Sequence, residues 1–157
     1  MKIKGIVDED FVNYKKPSMF IIFPSCNWKC DKEAGCAICQ NSALAQEPDI
    51  EIPIHKIVHR YKSNPITQAI VCAGLEPFES WEDTHRLIIE LRMITNDDIV
   101  IYTGFKYEEI NYAVDFLSQF PNIIIKYGRF IPNQNPHFDD VLGIELASDN
   151  QYAERIS

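Results

Sequence analysis

MFIIFPSCNWKCDKEAGCAICQN, residues 19–41, sets a continuous apolar run against four cysteines packed into fourteen positions. The apolar part, MFIIF (19–23), does not alternate with polar residues, the pattern of a strand covered on both faces. The pattern returns in QAIVCA (68–73), DIVIYT (98–103) and NIIIKY (122–127), with VLGIELA (141–147) as a weaker strand candidate. Helical spacing fills the intervals. Over Ser80–Thr95, residues Trp81, Leu87, Ile88, Leu91 and Ile94 mark one face, and Ser80 with Asp83 predicts a capping box. Over Lys106–Phe120, Tyr107, Ile110, Val114 and Leu117 do the same. A shorter helix is predicted from Pro53, with Ile54, Ile57, Val58 and Tyr61 inward. Strands alternating with helices predict an α/β fold with right-handed crossovers, whose ligands gather at the C-terminal ends of the strands. The cysteine loop, AGLEPF (73–78), TGF (103–105) and GRF (128–130) each follow a predicted strand and therefore share one rim.

Bulk properties narrow the chemistry. A chain of 157 residues with 46% hydrophobic content is the size of one domain with a real core, and residues 1–157 are expected to form a single unit. No apolar run approaches the roughly 20 residues needed to span a bilayer, and MKIKGIVDEDFVNYKK has no signal-peptide core, so a cytoplasmic protein without membrane contact is expected. The net charge of −8 and the lack of a basic stripe argue against a nucleic-acid partner. In a reducing compartment, five cysteines point to metal ligation or redox chemistry rather than disulfides.

Cys26, Cys30, Cys36 and Cys39 are separated by three, five and two residues. Two knuckles of that form suit a structural zinc in a non-catalytic interaction module, although the stretch between them is short. Three thiolates on a [4Fe–4S] cluster suit the spacing too, and would leave one iron open to a small chelator. On spacing, both remain open. Cys72 lies in an apolar strand and reads as a buried, inert thiol. His55 and His59 are four apart on a predicted helix, without the further context of a zinc motif.

CNWKC followed by CQN resembles the cysteine loop of the radical S-adenosylmethionine (SAM) superfamily, C-x3-C-x2-C with x-Asn after it, and GLEP (74–77) resembles its Gly-Gly-Glu-Pro strand end. With IYTGF, YGRF and SDNQ in order, the chain resembles the activating proteins of anaerobic ribonucleotide reductases over roughly residues 11 to 156. The resemblance implies a partial (β/α) barrel of mostly parallel strands and two cofactors, a [4Fe–4S] cluster and SAM. The implied activity is reductive cleavage of SAM to a 5′-deoxyadenosyl radical. That radical would place a glycyl radical on the large subunit of the reductase, with a flavodoxin- or ferredoxin-like electron donor. A radical SAM enzyme acting on a small molecule or peptide is the alternative within that class. Cys26 and Cys30 are the implied cluster ligands, with Cys39 preferred over Cys36 as the third because Gln40-Asn41 follows it. Gly74, Leu75, Glu76 and Pro77 fall to the methionine end of SAM, with Thr103, Gly104 and Asn41 elsewhere in its pocket. The chain departs from the family pattern in its longer spacing after Cys30, in Leu75 for Gly, and in Tyr127 for Asp.

Overall fold

The computed structural model describes residues 1–157. In chain order the elements are β1 (Lys2–Ile3), β2 (Gly5–Asp10), β3 (Ser18–Phe23), α1 (Lys29–Ala34), β4 (Ile50–Glu51), α2 (Ile54–Ser63), β5 (Ala69–Gly74), α3 (Trp81–Arg92), β6 (Asp98–Tyr102), α4 (Tyr107–Leu117), β7 (Ile123–Tyr127), β8 (His137–Asp139), β9 (Ile144–Leu146) and β10 (Tyr152–Arg155). All four apolar runs are strands, and β3, β5, β6 and β7 pair in parallel as neighbours. No helix is long and apolar enough to cross a membrane.

The strands are apolar throughout because both faces of the sheet are covered. Ile21, Phe23, Ile70, Cys72, Ile99, Ile101, Ile123 and Ile125 share one core with Ile57, Leu87, Ile88, Leu91, Val114 and Leu117 of α2, α3 and α4. The alternate positions Ala69, Val71, Val100 and Ile124 face the other way and pack on Tyr14, Leu142 and Leu146. Cys72 is fully buried, and burial pushes its thiol up to about 12, as suits an inert core residue.

The architecture corrects the expected partial barrel. The domain is α/β with four α-helices and an open, mixed six-stranded sheet in the order β10-β7-β6-β5-β3-β2. Both edge strands, β2 against β3 and β10 against β7, run antiparallel. Past Tyr127 the chain carries Gly128, Pro132, Pro136 and Gly143, residues that favour turns over another long helix. It forms the hairpin β8–β9 and returns as β10, occupying the hydrogen-bonding groups that a fifth parallel strand would need. VLGIELA supplies β9 of that hairpin rather than a strand of the main sheet.

The predicted capping box of α3 does not form. Ser80 precedes the helix, but its hydroxyl lies 3.2 Å from Ser25 Oγ, and Asp83 accepts from the Lys2 N–H. The 3₁₀ turn Pro77–Ser80 leads straight into α3 and is itself capped by Glu76, which accepts the Phe78 N–H at 3.2 Å.

At the foot of the sheet, opposite the loops that follow the parallel strands, Asp98 is 4% exposed and gathers three donors: Tyr14 OH, Lys16 Nζ and Arg155 Nη2. Burial pushes this carboxyl up, but those donors together hold it below the ordinary range.

Candidate metal centre

The cysteine loop begins two residues after β3. Trp28 adopts a left-handed conformation (φ 60°, ψ 38°) that opens α1, a short helix carrying Cys30, and Gly35 (φ 70°) reverses the chain at its end. The Asp31 carboxylate then accepts the N–H groups of Ile38 and Cys39, each at 2.9 Å. This hook accommodates the long spacing: the additional residues form a helical turn and its return, so Cys39 comes back beside Cys26 and Cys30 while Cys36 is left outside, exposed.

Cys26, Cys30 and Cys39 line one cavity of about 520 Å³ on the second face of the sheet. That size falls within the roughly 300–1,000 Å³ of small-molecule sites. Asn41, Gly74, Leu75, Glu76, Thr103 and Gly104 line it too; Pro77 does not, being buried in the turn behind. Trp28 is half-buried and also lies off the cavity lining.

Each strand end is fitted to the next. The Asn41 side chain donates to the Gly74 carbonyl at 2.8 Å, tying the cysteine loop to β5. Gly74 has φ +91°, and a Cβ there would stand 2.5 Å from Ile22 Cγ2, so glycine is required by both conformation and space. A Cβ on Gly104 would meet Cys30 Sγ at 3.5 Å and Glu76 Oε2 at 3.8 Å, which shows how closely the β6 end approaches the thiols.

Glu76 is 6% exposed, and its oxygens accept from Thr103 Oγ1 at 2.8 Å and Gly104 N at 2.9 Å as well as from Phe78. Burial pushes its carboxyl up to about 7, while the Gly104, Thr103 and Phe78 donors pull it back. Glu76 thus clamps the β5 end to the β6 end. Glu76→Gln is expected to cost about 1–3 kcal/mol, because its amide nitrogen would face a backbone or hydroxyl donor. Chemical denaturation at pH 8, where the wild-type carboxylate is ionised, measures this, and an unchanged midpoint would rule the clamp out.

Arg129, 4% exposed, forks onto Glu109 at the start of α4 (2.8 and 2.7 Å) and lies 3.2 Å from Glu33 of α1. Lys29 of α1 reaches the same Glu109 at 3.1 Å and sits 4.2 Å from the Phe105 ring centroid. These pairs pin α1, and with it Cys30, to the ends of β7 and α4. Asn150 and Gln151 bind the same region, donating to the Arg129 and Gly128 carbonyls.

The donor set suits an iron–sulfur cluster. Burial raises the Cys26 thiol to about 11, against a hydrogen bond from the Trp28 N–H, with Glu76, Cys30 and Cys39 adding to the rise. Cys30 is raised likewise, burial first, with Cys39 contributing and Arg129 opposing. Thiols that resist each other's ionisation become thiolates when a cationic centre binds between them.

Fold and site thus define a small α/β domain built around a cysteine-lined cavity. The sequence model of the family described as "4Fe-4S single cluster domain" matches residues 18–149, and the chain belongs to that family. A [4Fe–4S] cluster is therefore its cofactor class. Comparison with curated proteins and with solved structures finds no match.

Sequence reasoning missed Asp31, Lys126 and Glu109. Asp31 was hidden among the charged residues of a loop, Lys126 closes an otherwise apolar strand run, and Glu109 is recognisable only once Arg129 lies beside it.

Proposed function

We propose that the protein is a radical SAM enzyme that generates a glycyl radical on a partner, an anaerobic ribonucleotide reductase. One observation carries the reading: three cysteines meet the ends of β5 and β6 around a single cavity of cofactor size. When bound, a [4Fe–4S] cluster would supply the single electron that splits SAM reductively into methionine and a 5′-deoxyadenosyl radical. Cys26, Cys30 and Cys39 hold the cluster, and Cys36 takes no part.

The remaining residues bind, orient and exclude water. Gly74 and Leu75 present backbone to the methionine end. Glu76 acts through Thr103 and Gly104, fixing the β6 end that forms the opposite wall. Asn41 holds the Gly74 carbonyl in place, and Pro77 stiffens the turn behind. Phe20, Ile22 and Tyr102 give the cavity an apolar floor. A protein substrate suits the surroundings: Phe11 and Val12 are 63% and 74% exposed, in the same loop as the cavity residue Asn13. A flavodoxin- or ferredoxin-like protein would deliver the electron.

Anaerobic reconstitution with iron and sulfide is expected to give a brown protein that releases 5′-deoxyadenosine from SAM under strong reductant. A colourless protein holding one tight zinc per chain would refute the proposal.

A further inference from the structure

The segment from Ser42 to Asp49 forms part of the cavity wall without a core of its own. Leu44 lines the cavity, as do Cys39, Gln40 and Asn41 just before it. No residue between Asn41 and Ile50 is fully buried, and the one regular element there is the 3₁₀ turn Ser42–Gln46. Its backbone bonds are local. Ser42 donates to the Cys39 carbonyl at 3.3 Å, Leu44 to the Asn41 carbonyl at 3.0 Å, and Glu47 to the Leu44 carbonyl at 3.2 Å. A segment that buries so little apolar surface opens readily unless polar contacts hold it.

Lys4, between β1 and β2, supplies that hold. Its backbone N–H donates to the Ile22 carbonyl at 2.7 Å, which fixes it to β3, the strand that runs into the cysteine loop. Its side chain is 7% exposed, and its ammonium meets Asp49 Oδ1 at 2.8 Å, the Glu47 carbonyl at 2.5 Å and the Ala45 carbonyl at 3.5 Å. The three donors of one ammonium thus face three acceptors on one short segment. No other side chain hydrogen-bonds to residues 42–49. A buried ion pair adds little to stability over apolar packing. What the ammonium adds here is direction, because it selects one placement of the segment. On the reading above, in which Cys39 is a cluster ligand, we propose that Lys4 is a positioning residue for the metal centre. It fastens residues 42–49 so that Asn41 and Leu44 stay against the cavity and Cys39 stays beside Cys26 and Cys30.

Anaerobic holoproteins of wild type and variants, compared for iron release to a ferrous chelator and for amide hydrogen exchange, test this assignment. Lys4→Met is expected to release iron about 10-fold faster, as for loss of a hydrogen bond between charged groups. The amides of Leu44 and Glu47 should lose protection while those of β5 and β6 keep theirs, the pattern of a local opening. Lys4→Arg retains a cation with several donors and should release iron within about 3-fold of the wild-type rate. Asp49 is 44% exposed at its side chain, so Asp49→Asn leaves the core untouched and provides a second measurement, with a smaller rise in the same direction. Equal loss of protection across β5 and β6 would assign Lys4 to the fold alone. A loosened segment with unchanged iron release would show that the cluster does not depend on it. Either outcome overturns the proposal. Iron lost from Cys36→Ala but kept by Cys39→Ala would instead overturn the ligand reading, and the proposal with it.

Discussion

Cys39→Ala protein, reconstituted anaerobically, is expected to retain less than about a tenth of the wild-type iron and sulfide, because a three-thiolate site loses a direct ligand. Cys36→Ala should match wild type in iron content and visible spectrum. The contrast follows from the return of the chain after α1. Asp31 holds the N–H groups of Ile38 and Cys39, which directs Cys39 into the cavity, while Cys36 is exposed beside Gly35. Asp31→Ala is then expected to resemble a weaker Cys39→Ala, with about a 10- to 100-fold loss of cluster affinity, as for hydrogen-bond partners of metal ligands. Full iron in Cys39→Ala with loss in Cys36→Ala would reverse the ligand assignment.

Arg129→Met is expected to lower stability by about 2–4 kcal/mol, below the full cost of breaking a wholly buried pair because Glu109 is partly open to water. For a domain of this size that is a fall of roughly 5–15 °C in Tm. The loss should be accompanied by a change in acid sensitivity. The Arg129 fork, against a desolvation cost and with help from the Lys106 N–H and Lys29, holds the Glu109 carboxyl at about 2 rather than 4.5. A depressed carboxyl contributes its stability in full above its ordinary range and loses it as pH falls from about 4.5 toward 2. Melting curves of wild type and Arg129→Met should therefore lie far apart at pH 7 and converge toward pH 2–3. A constant gap across that window would mean that Arg129 acts through packing on Phe105, not through its charge.

The parts of the fold that could be read from sequence were those whose burial leaves a periodic trace. Four strands sealed on both faces had to be continuously apolar, and α2, α3 and α4 had to carry one apolar face. The edges left no such trace. GIVDED and YAER are polar enough to pass for loops, and they are strands only because β3 and β7 offer a free edge to pair with. Without them the parallel repeat suggested a curling barrel. With them the sheet ends on both sides. At the site, the convergence of the cysteine loop with GLEP and TGF follows from strand order, which the apolar runs define. The work of individual side chains does not: Glu76 reads as a ligand-facing acid in sequence, yet its oxygens are engaged by three protein donors. Likewise, nothing in NIIIKY distinguishes a surface lysine at a strand terminus from one enclosed beside Tyr102.

Asp98 divides the molecule's duties between its two ends. By gathering the loop before β3 and the final strand onto one carboxylate, it stitches the first and last portions of the chain together at the far pole from the thiols. Trimming the chain before Arg155 would undo one stitch and uncover the start of the β7 edge at Ile123 and Ile124. The damage would enter as loosened anchorage at that pole, leaving every group at the cysteine-lined pole chemically intact but no longer held in common alignment.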